Sequence, residues 1–298
     1  MAVPQPGIFA QGTRSHYHLE FDLRPDAADA DICAAIGRLR EPAVTVGGSN
    51  IIVGFGPTLW RRLQPENAPD DLADFRPIAG AHAAPATQHD VWAWTHGTGE
   101  DAELDVARAI AAAFAPVATL AAETPGFVYR DSRDLTGFID GTENPPVEEA
   151  HDVAVIPDGE RGEGGAHVIT MRWIHNLDAF HAQSTADQEG TIGRTQPDSV
   201  ELDDKPPTAH ISRVVIKEDG EELEIYRRSV PYGRVAEMGL YFIAFSADPS
   251  RFHKMLARMF GTSGDGVHDR LTDFSTPVSG SFYFAPSLDA LAGVLPSD

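Results

Sequence analysis

The residues able to do proton and charge chemistry fall in four short words of the sequence. The first is LTGFIDGTENP, residues 135–145. In it Asp140 follows Phe138 and Ile139 and stands between Gly137 and Gly141. Glycines let a backbone come close to a flat ligand. Apolar neighbours strip water from a carboxylate and tune it for proton transfer. An ordinary Asp-Gly turn is the plain alternative. The second word is PPTAHISRVVI, residues 206–216, with His210 where a proline-rich loop leads into an apolar run read as a strand. A histidine so placed can offer one ring nitrogen to a metal while a carboxylate holds the other. A hydrogen-bonded structural histidine is its alternative. With no HExxH motif and no cysteine pair nearby, a zinc site has no support here.

The third word is IYRRSVPYG, residues 225–233. Strand alternation puts Arg227 and Ser229 on one face and turns Arg228 to the other, towards solvent. The fourth is VHDRLTDFSTPVSGSFYF, residues 267–284. If it begins as a helix, Asp269 and Asp273 share a face, and either can orient a histidine. Capping or surface duty is the alternative for at least one of them.

These words need a scaffold of short strands and helices. Strands are predicted at 16–23, 50–55, 91–95, 167–173, 210–216, 222–229 and 240–245. Helices are predicted at 27–40, from 57 to 63, at 103–120 and at 250–260, the last ended by Gly261. Pro116 bends or ends the third. The words IIVGFGPTLWRRL (51–63) and YFIAFSADPSRFHKML (241–256) both run strand, proline turn, basic helix. That points to two similar α+β halves, each a sheet with helices on one face. They join in a long irregular stretch, 131–164, and a loop of that length is usually functional or disordered.

Composition narrows the classes. The chain has 298 residues, 42% apolar and 23% charged, with a net charge of -22. It is long enough for one large domain or two smaller ones with a sizeable core. A surface this acidic repels nucleic acid and anionic lipid. It suits solubility and the gathering of cationic substrates. The single cysteine, Cys33, excludes an intrachain disulfide and reads as a partly buried, inert thiol. No secretory leader and no apolar run of about 20 residues is seen, so a cytoplasmic location is expected.

Taken together, the four words resemble the dye-decolourising peroxidase family, in its bacterial type B subgroup. The resemblance spans nearly the whole chain and includes FVYRDSRDLTGFIDGTENP (127–145), IGRTQPDSVEL (192–202), TAHISR (208–213), YRRSVPYG (226–233), GLYFIAFSADPSRFHKMLARMFG (239–261) and DRLTDFSTPVSGSFYFAPS (269–287). It implies an α+β fold of two ferredoxin-like halves, antiparallel sheets with peripheral helices, divided as 1–135, a distal loop and linker at 136–164, and a cofactor-binding half at 165–298. It implies haem b held between sheet and helices, mostly in the second half. His210 matches the iron ligand, with Asp273 favoured over Asp269 as the carboxylate behind it, and His167 and His175 as fallback ligands. Asp140 matches the distal acid, Arg227 the distal arginine, and Ser229 a position where relatives carry Ser or Asn. Gly141, Thr142, Leu240 and Phe242 are expected around the cofactor, and Arg194 near a propionate.

The implied reaction reduces hydrogen peroxide through an oxo-ferryl intermediate, with dyes, phenolics or other small one-electron donors as reductants. A homo-oligomer is expected; an encapsulating shell remains open, although the chain shows no obvious targeting tail after LAGVLPSD. The rival readings are a chlorite-dismutase-like enzyme, a haem- or porphyrinogen-handling protein, and a non-enzymatic haem-binding cargo protein.

Overall fold

Strand Ser15–Leu23 shows how the chain is organised. Tyr17, Leu19 and Phe21 pack under helices, in one hydrophobic core. His16, His18 and Glu20, on the opposite face, are just as buried. A strand buried on both faces belongs to a closed or doubly covered sheet. The computed structural model, which describes residues 2–39 and 48–295, shows the closed case. All pairings are antiparallel, and eight strands form a ring.

Each half contributes four strands. In the first, Ala118–Phe127, Ser15–Leu23, Val91–Gly97 and Asn50–Phe55 lie side by side in that order. In the second the order is Ser281–Ala285, Ala166–His175, Glu237–Ser246, Val230–Arg234. Numbered along each half, both orders are 4-1-3-2, with a helix between the third and fourth strands. The α+β fold of two ferredoxin-like halves is therefore as expected. The halves meet at two thin seams, Phe284 opposite Phe55 and Tyr232 opposite Gly126.

The two words compared in the sequence do not occupy matching places, however. Residues 51–63 hold the second strand of the first half, whereas 241–256 hold the third strand of the second half. A strand followed by a proline turn and a helix is local grammar, and it does not report topology. The true counterpart of Glu237–Ser246 and its helix Ser250–Met259 is Val91–Gly97 with helix Glu100–Phe114.

Other expectations needed adjusting. The helix expected at 103–120 stops at Phe114, ahead of Pro116. Leu120 lies in strand Ala118–Phe127, which pairs with Ser15–Leu23. The run at 210–216 is no strand: His210–Val214 is a short helix lying against Ser250–Met259. Its apolar residues are covered by that neighbour and by the cavity below, which strand and helix cores can do equally well. The segment 222–229 contributes only the short strands Glu221–Glu222 and Tyr226–Arg227. The irregular stretch 131–164 contains helix Val147–Ala154. The first predicted helix is observed as Asp29–Arg38, and Arg40 lies outside the described residues. Cys33 is free and half-buried, as expected. No helix among the described residues is long and apolar enough to cross a membrane.

Alternation along the second half separates two environments. Ile243 and Phe245 point into the ring with Trp92, Trp94, Tyr226 and Tyr283. Ile169, Met171, Trp173 and Ala244 point outward, towards helix Ser250–Met259. The ring interior is aromatic but also polar. Trp94 donates Nε1–H to His16 Nδ1 at 3.2 Å. Glu20 accepts from Tyr241 Oη at 3.0 Å and from Thr170 Oγ1 at 3.2 Å. Burial, then the nearby His96 and Arg228, push His16 down to about 3. Burial and Arg228 push His96 down to about 3 as well, and burial lowers His18 well below the ordinary histidine value.

These imidazoles refuse protons that the unfolded chain accepts. A histidine whose folded pKa is depressed costs stability as pH falls below its unfolded value, about 6.5. The urea midpoint is therefore expected to drop between about pH 7 and about pH 5. A His16→Phe, His18→Phe double variant should show a shallower drop. Equal pH slopes for variant and parent would refute the neutral-interior account.

Candidate active site

Between the outer face of the second half and its helices lies a cavity of about 1350 Å³, its mouth included. Its walls are mostly apolar. Met171 and Trp173 come from one strand, Leu240 and Phe242 from the next, and Phe252 and Met255 from the covering helix. Polar side chains enter at only a few points.

One of them is His210, at the start of helix His210–Val214, shortly after Pro206 and Pro207. Its Nδ1 is 2.6 Å from Asp269 Oδ2. Asp269 is fully buried, and its other oxygen caps the following turn by accepting from Leu271 N at 2.9 Å. Its own backbone N–H reaches Met259 O at 2.9 Å. With the carboxylate fixed in this way, the ring carries its proton on Nδ1 and presents the Nε2 lone pair elsewhere.

The anchor is Asp269, not the favoured Asp273. Residues 270–273 form a 3₁₀ turn rather than an α-helix. With three residues per turn, position i+4 is rotated about 120° from position i. Asp273 therefore faces away and meets His82 and His268 instead.

Asp140, Arg227 and Ser229 line the same cavity. The Asp140 loop is rigidly held. Asp140 N donates to Ser132 O at 2.9 Å. The Arg133 guanidinium bridges the carbonyls of Gly137, Gln196 and Pro197 at 2.8–3.0 Å. Gly137 and Gly141 both have positive φ, +92° and +82°, which explains the glycines flanking the aspartate. Burial raises the Asp140 pKa above the ordinary aspartate value. Burial outweighs the downward pull of Arg227; Asp134 adds a smaller upward push, and the Gly141 N–H and His210 oppose it.

Arg227 is fastened through its backbone. Its N–H donates to Asn144 Oδ1 at 2.8 Å, and Asn144 Nδ2 donates to Arg227 O at 2.7 Å. Its side chain makes no hydrogen bond or ion pair among the described residues, and its Nε is buried without a partner. Burial lowers its pKa, with Asp140 opposing, but a guanidinium stays charged. Ser229 Oγ accepts from Ile243 N at 3.3 Å.

Arg228 does take the opposite face, but that face is not solvent. Its guanidinium donates to Ile8 O and Ala10 O, both at 2.6 Å, and lies 5.3 Å over the Trp94 ring. The reverse side of this strand is the ring interior, which strand alternation alone does not reveal.

The remaining expected residues divide. Leu240 and Phe242 line the cavity. Gly141 lines an adjoining polar pocket shared with Asp140, Asn144 and Arg227. Thr142 is exposed and meets Ser199 Oγ at 3.4 Å. Arg194 does not line the cavity. Its guanidinium is taken up by Glu143, which does, and by Ser199 O at 2.5 Å. Of the fallback histidines, His167 faces Asp71 at 3.2 Å. His175 lines the cavity with both ring nitrogens engaged, by Ser275 at 2.8 Å and Asp134 at 3.1 Å. Sequence reasoning missed Asn144, Glu143 and the Asp134–His175 pair. Asn144 was in view, in the TENP word, and a buried-amide bracket was the signal to look for.

Two family models match the chain: the Dyp-type peroxidase N-terminal model on residues 5–128 and the C-terminal model on residues 131–290. The chain belongs to the Dyp-type peroxidase family. It is thus a peroxidase, on the fold that the sequence resemblance implied. A dye-decolorizing peroxidase of Rhodococcus erythropolis is 34% identical over 97% of this chain and 88% of its own length. A DypB variant of Rhodococcus jostii RHA1, solved in complex with heme, has a TM-score of 0.90 at 35% identity, covering 95% of this chain and 96% of that one. The encapsulated DyP-type peroxidase of Mycobacterium smegmatis has a TM-score of 0.91 at 34% identity, covering 99% of both.

In this member of the family the Asn144 bracket joins the Asp140 loop to the Arg227 strand. Asn144→Ala should cost about 1–3 kcal/mol, because two backbone groups lose their partners. Urea unfolding measures it. A cost near zero would mean the loop is held by Arg133 alone.

Proposed function

We propose that this Dyp-type peroxidase holds haem b in the cavity of the second half, with His210 as the sole protein ligand to iron. The observation that carries the reading is the donor set of the cavity. An imidazole with one nitrogen clamped by a buried carboxylate shares an apolar space with a carboxyl group and an unpaired guanidinium. Of the two histidines that line this space, only His210 has a ring nitrogen to spare. When bound, haem supplies an iron centre that accepts hydrogen peroxide and passes its oxidising equivalents to one-electron donors such as dyes or phenolics.

The side chains have distinct tasks. Asp269 keeps His210 in the Nδ1–H tautomer and makes it a stronger donor. Asp140, as carboxylate, moves a proton from one peroxide oxygen to the other, alone or through a water. Arg227 stabilises negative charge on the departing oxygen. Ser229 and Gly141 shape the peroxide side, and Arg194 braces the rim through Glu143. In this reading 1–135 is a supporting half, 136–164 the distal loop and linker, and 165–298 the haem-binding half. Membership of the type B subgroup and cytoplasmic residence as a homo-oligomer belong to it too, supported by the DypB and encapsulated relatives. Light scattering tests the assembly.

His210→Ala should fold but lose stoichiometric haem. Asp269→Asn should retain haem with an altered ferric spectrum, and Asp273→Asn should leave that spectrum unchanged. Full haem content with an unaltered spectrum in His210→Ala would end the assignment.

The roles of Asp140 and Arg227 separate by pH. Because the pKa of Asp140 is raised, its base form is lost as pH falls through a value above that of ordinary aspartate. The peroxide reaction should therefore show an acid limb that vanishes in Asp140→Asn and persists in Arg227→Leu. Arg227→Leu should be the more damaging change, by about 10²–10³-fold in stopped-flow rate. Water can relay a proton, whereas nothing small replaces a fixed guanidinium. A larger loss in Asp140→Asn, each variant carrying full haem, would reverse this order.

A further inference from the structure

Asp273, released from the role behind His210, sits between two imidazoles. Its Oδ1 is 2.7 Å from His82 Nε2 and 3.1 Å from His268 Nε2. The three ligand-capable atoms lie within 4.8 Å of one another, and this is the one such group of three or more found among the described residues. None of the three side chains lines the haem cavity. They are 33–42% exposed, so a small ion reaches them from solvent.

The three come from two separate segments, the hairpin around His82 and the turn that holds both His268 and Asp273, each pinned by its backbone. His82 belongs to the hairpin formed by Ile78–Ala79 and Ala83–Ala84, where Gly80 N donates to His82 O at 3.0 Å. Ala81 N ties that hairpin to Phe260 O at 3.0 Å. The approach is close enough that a Cβ on Gly80 would stand 1.9 Å from the same carbonyl. His268 lies between Val267, whose N–H reaches Asp265 Oδ1 at 3.1 Å, and Asp269, whose N–H reaches Met259 O at 2.9 Å. Asp273 closes the turn that Asp269 caps. Little backbone order remains to be gained on binding.

We propose that His82, His268 and Asp273 form a binding site for a divalent d-block cation of the zinc class. Two imidazole nitrogens and one carboxylate oxygen are the donor types that suit borderline ions, whereas magnesium and calcium prefer oxygen alone. Ligand atoms about 2 Å from zinc stand about 3.3 Å apart at the tetrahedral angle. The observed 2.7 and 3.1 Å to Asp273 need only a slight opening, and all three ligand atoms lie within 4.8 Å of one another, with water as the fourth ligand. Without the ion, both Nε2–H groups can donate to the carboxylate. On binding, each ring gives its Nε2 lone pair to the cation and carries its proton on Nδ1 instead. The cation then joins the hairpin to the turn whose first residue, Asp269, anchors His210. The proposal stands independently of the peroxidase reading, and its test does not use turnover.

The net charge of -22 attracts any cation, so the test must separate a site from an atmosphere. Haem-loaded protein, freed of metals with EDTA and dialysed, is titrated with zinc chloride alone in a calorimeter, and in parallel with magnesium chloride. One equivalent of zinc should bind, and magnesium should give no saturable heat. His82→Ala, His268→Ala and Asp273→Asn should each weaken zinc binding at least about tenfold, while His151→Ala, at a remote exposed histidine, should not. Zinc should raise the thermal midpoint of the parent protein more than that of His82→Gln, a conservative change on an exposed hairpin. Absence of a one-equivalent zinc isotherm, unchanged affinity in both histidine variants, or saturable magnesium binding of similar strength would overturn the proposal.

Discussion

Closure of the eight-stranded ring is the constraint on which the rest of the structure depends. Once the sheet closes, every strand has an inner and an outer face; strands such as Val91–Gly97 are buried on both, whereas Ala118–Phe127 leaves much of its length exposed. The inner face is filled by stacked rings, with His18 and Tyr241 3.9 Å apart and Trp94 and His96 4.0 Å apart. That packing leaves no room for a large ligand within the ring. The outer face of the first half is covered by Asp29–Arg38 and Glu100–Phe114. On the second half the covering helices stand off from the sheet, and the cavity is what lies between.

The cavity is expensive electrostatically. Asp140 and Arg227 face a space with few polar partners, and burial shifts both towards their neutral forms. No ion pair joins them within 4 Å among the described residues, so neither charge is fully answered inside the protein. A folded chain tolerates such groups where a ligand completes them. The cost is carried by a stiff frame: the Arg133 bridge, the Asn144 bracket and the Asp269 clamp each use buried or half-buried hydrogen bonds to fix backbone, so that the side chains facing the cavity stay free. Freedom of the reactive groups and rigidity of their supports are one design.

The sequence by itself determined much of this. Strand 50–55 and helix 57–63 were legible to the residue, because proline and glycine punctuate them and their apolar periodicity is unbroken. Asp140, His210, Arg227 and Ser229 stood out in the sequence as candidates, but a plain turn or a structural histidine explained the first two as well or better until the family resemblance gave them roles; the structure brings all four to one cavity. Tertiary structure alone decided the rest. Which aspartate grips His210 depended on a 3₁₀ turn in place of an α-turn, a difference of a few tens of degrees in backbone that local composition does not encode. Whether Arg228 met solvent depended on what lay behind its strand, and that was the other half of the ring. The segment 210–216 carried an apolar run that fits either a strand or a helix until its neighbour is known. Local patterns fix which faces are apolar, because side-chain period follows backbone geometry. They do not fix what covers those faces, because the covering groups come from distant parts of the chain, as Leu291 and Val294 do in the core with Leu19 and Phe21.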